Sequence, residues 1–170
     1  MLTLALPLIL STGSWAVQQF VDRMFLTWYS SDAIAAATPA GMLNFAVMSL
    51  FIGMASYVGT FVAQYFGAGR LERVGPALWQ GLYVALAGGI LVMGIIPLAR
   101  PLFDFIGHDA AVRENEVIYF QYLCTGAVWV IASASLSGFF SGIGRTRIVM
   151  WVNIEMTAIN ILLDYLLIFG

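Results

Sequence analysis

The stretch Asn160-Ile-Leu-Leu-Asp-Tyr-Leu-Leu-Ile-Phe-Gly170 places a carboxylate, Asp164, inside an apolar run. That run extends over about residues 148–170, which is long enough for the ~20 residues that a bilayer-crossing helix needs. Asn160 and Asp164 are one helical turn apart, so they share one face of such a helix. Ionisable groups at membrane depth are costly and usually mark an ion or proton pathway. The stretch therefore predicts a membrane-spanning helix with a role in transport.

The composition of the chain points to lipid as its surroundings. Of the 170 residues, 61% are hydrophobic and only 9% are charged, against roughly 45–50% and about 25% in soluble domains. A soluble enzyme is therefore excluded. The net charge of −2 without a basic block argues against a nucleic-acid partner. The sequence has no Walker-type loop, metal-ligand cluster or nucleophile–base arrangement, so we predict neither enzymatic activity nor a cofactor.

The apolar segments predict an all-α integral membrane protein, a polytopic helical bundle with five spans. The spans cover about residues 2–28, 33–66, 74–99, 117–141 and 148–170. The second span is over-long and contains Pro39, so a kink or tilt is expected there. Small residues at 132–138 and at Gly88-Gly89 predict close helix packing.

The longest predicted loop, residues 100–116, follows the third span. Its apolar residues have helical spacing, which predicts a short amphipathic helix on the outer surface. His108 in this loop is interpreted most simply as a solvated residue, with a pH-sensing role as the alternative.

The positions of the arginines predict the orientation of the spans. Arg70 and Arg73 lie between spans 2 and 3, and Arg145 and Arg147 lie between spans 4 and 5. Cytoplasmic loops are enriched in Lys and Arg. We therefore predict a multi-pass protein of the inner (plasma) membrane with a cytoplasmic N-terminus.

Two carboxylates at similar depth suggest a shared site. With 1.5 Å per residue, Asp22 lies roughly 9 Å and Asp164 roughly 8 Å beyond the middle of their spans, both toward the outside. Each belongs to a polar stripe with helical spacing; the stripes comprise Trp15, Gln18, Gln19 and Asp22 on span 1, and Asn153, Thr157, Asn160 and Asp164 on span 5. We predict that the two spans face each other around a polar cavity in the outer half, with Tyr119 and Tyr122 at the same level.

The residue types in this stripe suit two kinds of chemistry. Burial disfavours the charged form of a carboxylate, which lets it load and release a proton. Two carboxylates with an Asn carbonyl could instead form a hard-oxygen cage for sodium. A structural alternative is that Asp22, followed by Arg23, simply marks where the helix leaves the bilayer. Glu155 lies off the stripe and is interpreted as a partner for a cytoplasmic arginine.

Several segments together resemble the multidrug and toxic compound extrusion (MATE) family, in its amino-terminal lobe. They are Leu4-Ala-Leu-Pro-Leu8, Phe20-Val-Asp-Arg-Met-Phe25, Val62-Ala-Gln-Tyr-Phe-Gly-Ala-Gly-Arg70, Gly142-Ile-Gly-Arg-Thr146 and Asn160-Ile-Leu-Leu-Asp-Tyr-Leu-Leu-Ile-Phe-Gly170. They occur in family order across the whole chain. The resemblance implies an exchanger of twelve helices in two pseudo-symmetric bundles of six, which extrudes cationic amphipathic compounds against sodium or protons.

The resemblance also implies residue roles. Asp22, Asn160 and Asp164 match the family's amino-lobe cation site, where sodium or a proton would bind. Tyr119 matches a span-4 tyrosine of some members, and Gln18 and Thr157 are expected to line the cavity. The chain departs from the family by ending after span 5, without the sixth helix and the carboxy-terminal lobe. Alternating access needs two halves, so we predict that this polypeptide alone does not transport.

Two other functions are compatible with a polytopic bundle. A lipid-linked oligosaccharide flippase would need several inward-facing cations for its anionic substrate, and the spans contain only Arg23. A non-transporting membrane scaffold would have little reason to align Asp22, Asn160 and Asp164. The acidic stripe favours the cation exchanger.

Overall fold

The structure is a computed structural model that describes residues 2–170, except for the side chains of residues 2–5 and 8. Over this range the chain is helical, without a β-strand. The α-helices are α1 (Leu2–Tyr29), α2 (Ser31–Ser56), α3 (Val58–Gly67), α4 (Val74–Met93), α5 (Ala99–Ile106), α6 (Ala110–Thr125), α7 (Ala127–Gly142) and α8 (Thr146–Phe169). Short 3-10 turns at Leu71–Arg73 and Ile96–Leu98 precede α4 and α5. The expected all-α membrane bundle is confirmed.

Three helical segments are long and apolar enough to cross a membrane. They are Ser31–Gly67, Leu71–Ile106 and Thr146–Phe169. The pair α6 and α7 passes the same test if it counts as one span bent by 47°. Helix α1 is not in this group, although its 28 residues exceed the length that a span needs. The count of five spans therefore stays a prediction.

The second span breaks at a different place from the one that the sequence suggests. Pro39 lies inside α2, which continues to Ser56. The break comes at Tyr57, where the Tyr57 amide still donates to the Gly53 carbonyl and the Thr60 amide donates to the Tyr57 carbonyl at 3.0 Å. A tightened turn of this kind keeps the backbone groups satisfied at the helix boundary. The boundary lies 18 residues after Pro39, and the expected kink or tilt at Pro39 stays a prediction.

The predicted loop over residues 100–116 is largely wrong. Helix α5 covers Ala99–Ile106, as an amphipathic helix should, but α6 already begins at Ala110. The connector is only Gly107–Asp109, and Gly107 adopts a left-handed conformation (φ +81°) that favours glycine. Ion pairs Arg100–Glu114 (2.9 Å) and Arg113–Asp104 (3.1 Å) join α5 to α6. Charged residues that are typical of a loop thus belong to a helical hairpin.

The chain divides into two compact units. The first is built on α1 and α8 and comprises the residues up to Ile34 together with Gly144–Gly170. The second comprises Ala35–Ile143 and contains most of α2 and helices α3–α7. Its core is formed by small and aromatic residues that are almost fully buried, including Ala40, Ala85, Val92, Phe103, Phe120 and Ile131.

Close helix packing at glycines holds the second unit together. A Cβ added at Gly59 would lie 3.0 Å from the Gly138 carbonyl oxygen, so α3 and α7 are in backbone contact there. A Cβ at Gly81 would lie 2.6 Å from Ser135 Oγ, and one at Gly89 would lie 2.7 Å from the Val128 Cα. The predicted role of the small residues in α4 and α7 is confirmed.

The two basic turns share one backbone geometry. Gly69 (φ +72°) precedes Arg70, and Gly144 (φ +76°) precedes Arg145. Both arginines then adopt nearly the same conformation, with φ −87° and ψ 62° at Arg70, and φ −93° and ψ 48° at Arg145. Glycine is needed at the first position because side chains strain a left-handed backbone. These Gly-Arg turns are the loops on which the predicted orientation rests.

Candidate functional site

Helices α1 and α8 form a parallel pair with a constant register. Ser11 contacts Asn153, at a separation of 142 residues, and Thr157 contacts Ser14 at a separation of 143. Farther along both helices, Asp22 contacts Asp164 and Phe25 contacts Phe169. The residue numbers of the contacting pairs therefore increase together along the two helices, so the helices run in the same direction. Parallel alignment is what the three predicted spans between them require, and it puts Asp22 and Asp164 at one level.

Side-chain hydrogen bonds join the polar stripes of the two helices. Asn153 Nδ2 donates to Ser11 Oγ. Thr157 Oγ1 lies 3.4 Å from the Ser14 carbonyl oxygen and 3.5 Å from Gln18 Oε1, to either of which its hydroxyl can donate. Thr157 is 9% exposed, so its hydroxyl is removed from lipid by this pairing. Helices α1 and α8 face each other, as predicted for spans 1 and 5, whereas the polar cavity between them, with Gln18 and Thr157 in its lining, stays a prediction.

The two carboxyl groups meet at the next level of the stripe. The side chains of Asp22 and Asp164 face each other there. Asp22 Oδ1 and Asn160 Oδ1 are buried without a hydrogen-bond partner. An unsatisfied buried oxygen is costly. The level therefore combines two facing carboxyl groups with an unsatisfied oxygen on Asp22 and another on Asn160, both available to a ligand.

An aromatic cluster follows the carboxyl pair along both helices. The buried Phe25 lies 5.7 Å from Phe169 and 6.3 Å from Tyr165, measured between ring centroids. Trp28 packs on its other side at 6.1 Å. Phe25 comes one turn after Asp22, and Tyr165 directly follows Asp164. The cluster packs α1 against α8 with apolar rings just beyond the polar stripe.

The stripe on α1 differs in part from its predicted composition. Ser11 and Ser14, which sequence reasoning missed, contact α8, whereas Trp15 is 61% exposed and Gln19 is also exposed. The spacing of Ser11, Ser14, Gln18 and Asp22 (i, i+3, i+7, i+11) fits one helix face and could have identified them. Serine hydroxyls give a weak signal because serine is a common and weakly polar residue in membrane helices.

Two other predicted positions are placed as follows. Glu155 is exposed on α8, off the face that carries Thr157 and Asp164, as expected. Tyr119 lies on α6, in the second compact unit, half-exposed and engaged with other residues. Its participation in the site stays a prediction, as does that of Tyr122, which is exposed on the same helix.

The oxygen-rich level can hold a proton or a small hard cation. The carboxyl pair could bind a proton, which would change its net charge by one. The carboxylate oxygens and the Asn160 carbonyl are also the ligand type that hard cations prefer. The stripe formed by the described residues of α1 and α8 carries no basic side chain; Arg23, which follows Asp22, is exposed and lies off the stripe. The chemistry of the level is compatible with the cation site expected at Asp22, Asn160 and Asp164, which stays a prediction.

Comparison with known proteins gives concordant results. The family model described as MatE matches residues 7–166. A probable multidrug resistance protein NorM of Synechocystis is 31% identical over 99% of the chain, and one of Bradyrhizobium diazoefficiens is 30% identical over 99%. The chain spans 37% and 36% of their lengths.

A solved structure has the same fold. It is that of a MOP superfamily transporter from Pyrococcus furiosus, described as having a binding pocket of reverse polarity that suggests a different function. It superposes with a TM-score of 0.86 at 18% identity, covering 98% of this chain and 37% of the other. At this identity the likeness concerns the fold alone.

Proposed function

The chain belongs to the MatE family, and on that basis we propose that it forms part of the amino-terminal lobe of a secondary antiporter. A transporter of its relatives' length that contains this chain, called here the full-length parent, would extrude cationic amphipathic compounds in exchange for sodium or protons. Its relatives are named as multidrug resistance proteins, which favours transport over catalysis. The other partners would be the bilayer and the carboxy-terminal lobe.

The observation that carries the proposal is that two carboxyl groups, one from α1 and one from α8, face each other. Asp22 and Asp164 come from two parallel membrane helices and meet beside two unsatisfied buried oxygens. A structural ion pair would need a cation, and the described stripe has none. An acidic pair without a counter-charge is stable when it holds a proton or a cation. Binding and release of that cation would therefore change the energy of the lobe, as coupling requires.

The same observation disfavours a flippase for anionic lipid-linked sugars. A pyrophosphate or phosphate group would need arginine or lysine donors in the cavity. Three basic residues, Arg23 on α1, Arg145 just before α8 and Arg147 on α8, are all exposed, and none lies on the stripe. A scaffold function has no use for two facing carboxyl groups at membrane depth.

Coupled exchange would follow because the carboxyl pair that binds the coupling cation also affects the binding of the cationic substrate. Entry of a proton or sodium from outside would make the carboxyl pair less negative by one charge, and its departure on the cytoplasmic side would restore that charge. The more negative form of the pair favours a cationic substrate, while the less negative form disfavours it. Because the two states of the lobe differ in cation affinity, an inward cation gradient would drive outward movement of the substrate.

The identity of the coupling ion is tested by imposing the two gradients separately. The full-length parent would be reconstituted in liposomes and supplied with a sodium gradient at equal pH, or with a pH gradient without sodium. Substrate movement under at least one inward cation gradient is the expected result. Movement under neither gradient, in protein that binds substrate, would contradict the antiport proposal.

Substitutions along α8 should weaken transport in a defined order. Asn160→Ala removes a neutral oxygen ligand beside the carboxyl pair, so we expect a several-fold weaker dependence of efflux on the coupling ion. Glu155→Gln removes an exposed charge off the stripe, so efflux should stay within about twofold of wild type, as for ordinary surface substitutions. Efflux measured in cells at matched expression checks both. A larger effect of Glu155→Gln than of Asn160→Ala would contradict the assignment of the site.

The proposed topology puts both Gly-Arg turns in the cytoplasm. Leu71→Cys, an exposed position between Arg70 and Arg73, should resist a membrane-impermeant maleimide in intact cells and react after permeabilisation. Asp109→Cys, exposed in the α5–α6 connector, should react in intact cells and serves as the control. The reverse pattern would show that the N-terminus lies outside.

A further inference from the structure

Glu116 on α6 is a fully buried carboxyl group outside the site described above. Its side chain is 0% exposed, and its neighbours Val117 and Phe120 belong to the apolar core of the second unit. One carboxylate oxygen, Oε1, lies 2.7 Å from Nδ1 of His108. The other, Oε2, is buried without a hydrogen-bond partner. The sequence alone suggests a loop for both residues, and a solvated one for the histidine.

His108 lies in the connector and reaches both the solvent and the core. It follows Gly107, whose left-handed conformation ends α5, and it precedes the start of α6 at Ala110. Its side chain is 44% exposed, yet its ring nitrogen bonds to a carboxyl group with no exposure. The imidazole therefore covers the buried acid and links it to the aqueous side of the connector.

The other charged groups near this pair are already engaged. Arg100 pairs with Glu114, and Arg113 pairs with Asp104, on half-exposed or exposed positions of α5 and α6. Asp109 in the connector is exposed and adds negative charge. The remaining elements packed on α6 are α4, α7, the turn Ile96–Leu98 and α2, which contacts α6 through Asn44 and Cys124. The first three contain no acidic or basic residue and no histidine, and the one charged residue of α2, Asp32, lies at its start, twelve residues before Asn44. Among the described residues, His108 is the one group that compensates Glu116.

We propose that Glu116 and His108 together form a second proton-binding site, separate from Asp22 and Asp164, that closes the α5–α6 connector. With one exchangeable proton the pair has no net charge, as carboxyl and imidazole or as carboxylate and imidazolium. Without it, a buried carboxylate faces one neutral N–H donor and leaves Oε2 unsatisfied, which is costly. Water that enters the connector can then donate a hydrogen bond to Oε2, which lowers the free energy of the pair, so the connector opens.

The direction of the pH dependence follows from proton linkage. The closed connector binds one proton more than the opened one, so closure is favoured at low pH and is lost as the pH rises. His108 is the side chain type that titrates near neutral pH. The site would thus report the proton concentration on the side of the membrane to which the connector is exposed.

Hydrogen exchange of the full-length parent in lipid nanodiscs tests this site directly. Protection of the peptide covering residues 107–117, corrected for the chemical exchange rate, would be followed between about pH 5.5 and pH 8.5, the range in which histidine titrates. The protection factor of the wild type should fall as the pH rises, with a slope that approaches about tenfold per pH unit for one linked proton. Glu116→Gln should make protection independent of pH. Glu114→Gln, two residues away but exposed and paired with Arg100, should behave as wild type.

Two further variants distinguish this site from a folding defect and from the Asp22–Asp164 pair. His108→Gln retains a donor but not a titratable ring, so Glu116 alone holds the proton, and the fall in protection should begin at a lower pH than in wild type even if Glu116→Gln fails to fold. Asp164→Asn should leave the wild-type profile intact. The proposal is overturned if wild-type protection does not change with pH or if Glu116→Gln keeps the slope. It is also overturned if Asp164→Asn removes the slope, or if sodium at fixed pH reproduces the effect.

Discussion

Asp164→Asn is expected to reduce cation-coupled efflux by the full-length parent to background while its expression and folding stay intact. The amide keeps the shape of the carboxyl group and can still hydrogen-bond to Asp22, but it cannot exchange a proton or contribute a negative charge to a cation. Asp22→Asn should act in the same direction, because the two carboxyl groups face each other and are assigned to one site. Efflux of a fluorescent cationic compound from cells, at matched protein levels, is the measurement.

A matched control for this substitution lies on the same helix. Glu155→Gln makes the same chemical change to an exposed residue nine positions earlier, and it should retain efflux. Folding of each variant would be verified by size-exclusion chromatography of purified protein. Wild-type efflux from well-folded Asp164→Asn protein would mean that the buried carboxyl pair has a structural role only.

Gly89→Ala is expected to prevent the second unit from folding. A Cβ at this position would overlap Val128 Cγ2 and would lie 2.7 and 2.8 Å from the Val128 Cα and backbone nitrogen. Because two of these atoms belong to the backbone of α7, the clash can be relieved only by moving a helix. Overpacking of this kind costs up to about 3 kcal/mol, and more where the backbone must move. Folded yield and thermal stability of the full-length parent measure the effect.

The control for this prediction is another glycine of α4. A Cβ added at Gly75 would have no atom within 4 Å, so Gly75→Ala should be neutral or stabilising by up to about 1 kcal/mol through helix propensity. Equal stability of the two variants would contradict the assignment of Gly89 as a packing contact between α4 and α7.

The pairing of α1 with α8 could be predicted because its signal is local. Polar residues are rare in membrane helices and must face protein or water, so their spacing identifies the buried face of each helix. On α8 this reasoning identifies Thr157 and Asp164 correctly. On α1 the same reasoning selects Trp15 and Gln19, which are exposed, over Ser11 and Ser14. The predicted face and the observed face of α1 are offset by one residue position. Serine is too common in membrane helices for its position to identify the correct face.

The α5–α6 hairpin could not be predicted because its causes are non-local. Charged residues at 113, 114 and 116 are typical of a loop at the end of a span. In the structure Arg113 and Glu114 are matched by Asp104 and Arg100 from α5. Glu116 is accommodated in the core by His108. Sequence spacing within one helix contains no information on these partners, so neither the early start of α6 nor the buried acid could be foreseen.

The central claim is that Asp22 and Asp164 form one coupling-cation site. It is tested most directly by the cation released when substrate is added to the purified full-length parent in weakly buffered detergent solution. A pH indicator and a sodium-sensitive dye would detect a proton or sodium. Wild-type protein should release the coupling cation, and Asp22→Asn and Asp164→Asn should each lose that release to the same extent. Release that survives in either well-folded variant would contradict the account.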